Sequence, residues 1–212
     1  MARLELWFPV DPLHINQEFG ANPAYYARFH DAYGNPEKGH NGRDLMAFHG
    51  QPVYASVDGT AVYTSDSHGG EGCIITTSQP ADYAGGTCWF NVINWHLIGN
   101  TDPAFPPPIP MNGVKTAVKV GDLIGYANNT GAPFESSGDH LHLGLAPVDA
   151  NQRVLLPANG FNGCIDPAPY FNGYFAKNHD QVLANLNKQV SLLTALVNTL
   201  TAWFSQRKQS GG

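Results

Sequence analysis

Residues 139 to 145 read DHLHLGL, two histidines separated by one leucine. In an extended strand alternate side chains share a face, so His140 and His142 project together and Leu141 and Leu143 project the other way. Upstream, GHNGRDL places His40 and Asp44 four residues apart. Gly39 and Gly42 argue against a helix there and for a tight loop entering a strand. A catalytic zinc is held tetrahedrally by three protein groups, histidine nitrogens and carboxylate oxygens among them, with water in the fourth place. His40, Asp44 and one histidine of the HLH pair supply such a set, for one zinc per chain. Zinc brings its water to a pKa of about 7 and polarises a carbonyl, and peptide hydrolysis then needs a group to take the water's proton. The chain has no HExxH motif to offer a glutamate. A histidine, with an unperturbed pKa of about 6.5, is able to do that work.

The elements that must position these residues are mostly strands. From about residue 45 to 165 the chain shows short apolar runs, PVYASV, DGTAVYTS, GCIITTS, CWFNVINW, AVKVGDLIGYA and HLHLGLA, separated by Gly, Pro, Asn and Asp. Such runs read as an antiparallel sheet system. Asp58-Gly59 is a tight-hairpin signal between two of them. Residues 99–113, GNTDPAFPPPIPMNG, cannot be a central strand because proline lacks the ladder donor, and they read as a long surface loop of the kind that shapes a groove. Trp95 alternates to the opposite face from the histidine of NWHL, His96, and reads as core.

After Tyr170 the period turns helical. Leu183, Leu186, Val190, Leu193, Val197, Leu200 and Phe204 recur at alternating steps of three and four, a single apolar seam. The seam predicts either self-association, or docking into a larger assembly, or a helix folded back on its own domain.

Composition agrees with a turn-rich β protein: 23 glycines and 16 prolines among 212 residues, with only 13% charged. A length of 212 residues suits one domain of ordinary size with a short extension. The formal charge of -6 offers no electrostatic footprint for nucleic acid, and no stretch is apolar enough to span a bilayer. The first residues, MARLELWFPVDP, lack the apolar core of a signal peptide, which leaves either an export signal trimmed from this chain or another route such as delivery by a phage or release by lysis. Cys73 and Cys88 lie in neighbouring strand-like runs joined by QPADYAGG. A hairpin centred near Pro80 and Ala81 would let them form a disulfide, the alternative being two buried thiols, with Cys164 unpaired.

In order along the chain, GHNGRDL, PVYASVDGTAVYTSDSHGGEGCIITTS, NVINWHL, VKVGDLIGYANNTG and SSGDHLHLGL resemble the successive motifs of the lysostaphin-type zinc peptidoglycan endopeptidases. The closing IDPAPYF and the upstream INQEFGANPAYY are also similar to that family's pattern. The resemblance implies a mainly β fold, an antiparallel β-sheet sandwich with an open groove of the duplicated-hybrid-motif type. It divides the chain into a lead-in packed on the core at 1–36, a zinc metallopeptidase domain at 37–172 and a C-terminal amphipathic helix at 176–208. His40, Asp44 and His142 are implied to be the zinc ligands. His140 is implied to be the catalytic base, and His96 a second active histidine that steadies the developing oxyanion. The implied substrate is a peptidoglycan stem peptide or cross-bridge, cut outside the cell or at the wall. Two positions depart from the family pattern: the Pro-rich run after His96, and His49, which reads as a surface histidine.

Other residues carry weaker readings. His14, His30, His68 and His179 have no companion residues and read as surface or hydrogen-bonded histidines. Glu135 and Asp139 flank the HLH motif either as partners that orient a histidine or as a solvated loop. The competing function is a non-enzymatic wall-binding or phage structural module that retains the fold. Occupancy of all five family positions favours catalysis.

Overall fold

The computed structural model describes residues 2–31, 33–100 and 102–210, with side chains through Trp203. Among the described residues there are twelve strands: β1 (Leu6–Phe8), β2 (Ile15–Gln17), β3 (Arg43–Met46), β4 (Pro52–Tyr54), β5 (Gly59–Ser65), β6 (Glu71–Thr77), β7 (Ala81–Tyr83), β8 (Gly86–Trp95), β9 (Thr116–Val118), β10 (Leu123–Tyr126), β11 (His140–Val148) and β12 (Phe171–Phe175). A one-turn helix, α1, covers Pro23–Tyr26, and a long helix, α2, covers His179–Ser210. The architecture is mainly β with antiparallel sheets and a C-terminal helix, as the sequence predicts.

The main sheet runs β2-β3-β11-β8-β6-β5-β9, with β7 paired to the start of β8. Antiparallel β4–β10 and parallel β1–β12 form two smaller sheets. One apolar core joins them. Val53 and Ile124 from the β4–β10 ribbon and Leu6 from β1 cluster with Leu45, Ile75, Phe90, Val92, Leu141 and Leu143 of the main sheet. The alternation read from HLHLGLA produces this arrangement, since Leu141 and Leu143 enter the core while His140 and His142, which alternate with them, do not.

Three local expectations are overturned. The Asp58-Gly59 hairpin does not form, because β4 pairs with β10 while β5 pairs with β6 and β9. Asp58 Oδ1 instead accepts the Val120 amide at 2.9 Å and Oδ2 accepts Lys119 Nζ at 2.7 Å, which pins the β9–β10 turn. Of the two readings left open for Cys73 and Cys88 the buried thiols hold, and Cys164 is a buried thiol as well. Register is the reason: Cys73 lies opposite Asn94, whereas Cys88 lies opposite Ala81. The chain reverses not at Pro80-Ala81 but at Ala84 and Gly85, both with positive φ, after β7 has formed. Trp95 is only half-buried and lies opposite both His142 and Gly72, so it shares the face of His142 rather than the core.

The chain divides into a compact unit, Met1–Lys177, and a second unit, Asn178–Gly212. In the first, Leu4, Leu6 and Val10 of the lead-in are part of the core, and β1 pairs with β12. In the second, the α2 seam residues Leu183, Leu186, Val190, Leu193, Val197 and Leu200 are exposed, while the side chain of Phe204 lies outside the described residues. No helix among the described residues is long and apolar enough to cross a membrane.

Candidate metal centre

The β3–β11 ladder builds the site. His142 lies directly opposite Asp44 and His140 opposite Met46, with Leu141 opposite Leu45 on the core side. Antiparallel partners share a face, so the ladder brings Asp44 to both histidines of HLH. His40 comes from the loop before β3. Its backbone is held by the amide of Gly20 donating to His40 O at 2.8 Å and by its own amide donating to Ala21 O at 3.0 Å. Gly42 gives the ring of His142 room, because a Cβ there would stand 2.6 Å from the Leu143 carbonyl oxygen and 2.7 Å from His142 Nε2.

Three donor atoms converge. His40 Nε2 is 2.9 Å from His142 Nδ1, and each of these nitrogens is 3.1 Å from Asp44 Oδ1. A tetrahedral zinc with bonds of about 2.0–2.2 Å spaces its ligands by roughly 3.3 Å. The cluster is within a few tenths of an ångström of that triangle. His40 Nδ1 faces the Glu18 carbonyl oxygen at 3.3 Å. A carbonyl only accepts, so Nδ1 carries the hydrogen and Nε2 keeps its lone pair for a metal. Two imidazole nitrogens and a carboxylate oxygen packed this closely are all lone-pair donors, which suits a divalent cation of borderline softness.

The other two histidines stand beside this triangle. His140 Nδ1 donates to the Gly138 carbonyl oxygen at 2.7 Å, and Ser136 Oγ lies 3.4 Å from the same nitrogen. That leaves His140 Nε2 with a free lone pair 3.5 Å from Asp44 Oδ1. His96 Nδ1 donates to the Thr130 carbonyl oxygen at 2.6 Å, so its Nε2 is also an acceptor. The ring of His96 lies 4.6 Å from that of His140 and 6.1 Å from that of His142. His96 has φ 64°. This left-handed turn ends β8 and redirects a side chain that strand alternation would send, like Asn94, into the core.

Charge is divided sharply. Burial alone would raise the Asp44 carboxyl, but His140, His142 and His40 hold it well below the usual carboxylate range. Burial, with His142 and His140 beside it, pushes His96 down to about 3, so it is neutral. Burial also lowers His142, in keeping with a neutral ligand. His140 is raised: burial opposes its charge, but Asp44 and the Gly138 carbonyl outweigh that. Of His96, His140 and His142, His140 is therefore the one that most readily gains a proton.

All five residues singled out in the sequence come together here. Others were missed. The ring of Tyr26 lies 5.5 Å from that of His40, and its hydroxyl accepts Gln17 Nε2 at 3.0 Å. Burial and Asp44 raise that phenol to about 12, so it stays protonated. The only sequence signal for Tyr26 is its place in the lead-in INQEFGANPAYY. Glu135 pairs with His68 at 3.2 Å and accepts Trp95 Nε1 at 3.5 Å, so it orients neither His140 nor His142. His49 is not a bare surface histidine, since both its ring nitrogens face oxygens, Asn128 Oδ1 at 3.1 Å and Asp102 Oδ2 at 3.2 Å.

No family model matches the sequence, and no curated protein matches it. Among solved structures, the chain is similar to a zinc-containing peptidase from Vibrio cholerae, with 23% identity and a TM-score of 0.49 over 78% of this chain and 39% of that one. It is similar to the catalytic domain of the antimicrobial peptidase lysostaphin from Staphylococcus simulans, with 20% identity and a TM-score of 0.49 over 74% of this chain and 91% of that one. A variant of the catalytic domain of the prophage-encoded protein EnpA from Enterococcus faecalis gives 19% identity and a TM-score of 0.48 over 77% and 97%. The chain thus spans well under half of the Vibrio cholerae protein but nearly all of the other two domains, and its structural neighbours include lysostaphin-type peptidases.

Proposed function

We propose that this chain is a zinc metalloendopeptidase that hydrolyses peptide bonds of bacterial peptidoglycan, in a stem peptide or a cross-bridge, and so acts at the cell wall. The observation that carries the reading is the convergence of His40 Nε2, Asp44 Oδ1 and His142 Nδ1 within 3.1 Å of one another, with His140 Nε2 free beside them. The ordered motifs that resemble the lysostaphin-type family supply the substrate class. The compact unit Met1–Lys177 carries every residue of the site, so the lead-in belongs to the working domain and α2 is an appendage.

His40, Asp44 and His142 would hold the metal. Zinc bound there supplies a Lewis acid for the scissile carbonyl and a water that ionises at a pH of about 7. His140 is held by Gly138 with Nε2 toward the site, where it takes the water's proton and passes it to the leaving amine. His96 presents a lone pair rather than a proton in the resting chain, because its Nδ1–H is engaged by Thr130. The oxyanion role that the resemblance implies for His96 therefore requires its imidazolium form, after it has gained a proton. Tyr26 and the buried side of the cluster exclude bulk water around His40.

Purified cell walls of several cross-bridge chemistries, incubated with the zinc-loaded protein, test the reading. New peptide amino termini are expected from at least one wall type, and they vanish with His140→Ala. No release from any wall by the zinc-loaded wild type would overturn it and leave the wall-binding alternative.

A further inference from the structure

Within the Pro-rich segment 99–113, the described residues from Asp102 onward are tied down at one point that the catalytic reading does not use. His49, in the turn after β3, bridges two elements: Nε2 meets Asp102 Oδ2 at 3.2 Å and Nδ1 meets Asn128 Oδ1 at 3.1 Å. Asn128 in turn lies between the two non-ligand histidines. Its amide donates to the His96 carbonyl at 2.8 Å, and its carbonyl accepts the His140 amide at 3.2 Å. Asp102 is thus two side chains away from the backbone that carries both His96 and His140.

Aromatic packing closes the same junction. The ring of Phe105 stands edge-on to His49 at 5.5 Å and lies 5.3 Å from Tyr126. It rests directly on Gly50, whose φ of +76° and lack of a side chain admit the ring. Asp102 also caps its own turn, with Oδ1 accepting the Ala104 amide at 2.9 Å. Further along, Ile109 is buried in the core and Met111 packs against it. The segment is therefore held at both ends, and the end beside the histidines is held by His49 together with Phe105 on Gly50. Two oxygens face the His49 ring, and hydrogen bonding to Asn128 and Asp102, with Asp139 adding through space, raises the imidazole above its usual pKa.

We propose that His49 is a positioning residue that pins segment 99–113, through Asp102, to Asn128 beside His96 and His140, so that this segment forms a wall of the peptide-binding cleft. The substrate half of this inference rests on the peptidase reading above. His49 touches no candidate metal ligand, so its loss leaves the metal and the chemical step in place and weakens the hold on the peptide.

The test uses the full zinc-loaded chain, the variants His49→Ala, Asp102→Ala and the double variant, and a soluble cross-linked muropeptide from a wall that the wild type digests. An ion pair this exposed is weak, so each single variant is expected to raise KM by only about threefold to fivefold with kcat unchanged. The double variant is expected to be no worse than either single one, because the two residues act as a unit. Zinc content stays at the wild-type level. Amide hydrogen exchange across 99–113 accelerates in His49→Ala, a reading that does not depend on activity. Unchanged exchange in that segment overturns the anchor. Unchanged KM, or an equal fall in kcat and zinc content, overturns the cleft-wall role. A wild type that digests no wall overturns the peptidase reading and the cleft-wall role with it, while exchange still decides the anchor.

Discussion

His140 Nε2 stands 3.5 Å from Asp44 Oδ1, while the other nitrogen of the same ring donates to the Gly138 carbonyl. A ring fixed this way faces the metal triangle without joining it. His140→Ala should therefore keep zinc and lose hydrolysis by a factor on the order of 10²–10⁴, the usual range for a missing acid–base group. His96→Ala is expected to behave likewise. Elemental analysis beside a wall-digestion assay checks both, and loss of zinc from either folded variant would mean that the roles of neighbouring histidines are exchanged.

The ligand triangle makes the opposite prediction. The wild type is expected to bind one zinc per chain, and His40→Ala, Asp44→Ala and His142→Ala should each lose it, because two remaining donors leave too open a site. Full zinc in all three purified variants would reject the ligand set.

Gly42 offers a test from packing rather than chemistry. In Gly42→Ala the new Cβ would press on the Leu143 carbonyl, which the sheet holds, and on the imidazole of His142, which must move. Such overpacking costs about 1–3 kcal/mol. Zinc affinity should fall although every ligand is present, as a competition titration with a chelator would read; an unchanged affinity and melting temperature would show that the ring shifts freely.

Burial pushes the Cys73 and Cys164 thiols up to about 12. A raised folded-state value leaves their contribution whole below the unfolded thiol pKa of about 8.5 and removes it as pH climbs from there toward 12. Stability should decline at about 1.4 kcal/mol per pH unit per thiol in that window. Denaturant melts between pH 8 and 10.5 check this: Cys164→Ala should show a shallower decline than the wild type, and parallel curves would contradict the buried-thiol account.

Truncation separates the two units. A chain ending at Lys177 retains all five site residues and should keep zinc and hydrolysis. The heptad seam of α2 predicts that the full chain self-associates and the truncated one does not. Light scattering of the two reads this directly, and a monomeric full chain rejects it.

Local pattern carried much of this molecule. Period-two alternation in HLHLGLA sends Leu141 and Leu143 inward and keeps His140 and His142 on one face, because side-chain direction along a strand depends only on neighbouring residues. Residue type also pointed to a candidate donor set, His40, Asp44 and a histidine of HLH, and the fold brings His40, Asp44 and His142 together. What the sequence could not decide depends on contacts between distant segments. Whether Cys73 meets Cys88 is a matter of register, and the extra strand Ala81–Tyr83 put them opposite different partners. Asp58-Gly59 has the chemistry of a hairpin turn, yet the flanking strands pair elsewhere. Trp95 and His96 were assigned to faces by alternation, and one left-handed residue, His96, reversed the outcome. Which nitrogen of each histidine keeps its lone pair was set by carbonyls of Glu18, Thr130 and Gly138, two of them far along the chain from the ring they engage. His49 was unreadable for the same reason: its partners Asp102 and Asn128 lie 53 and 79 residues away, and only the folded chain brings them to one ring.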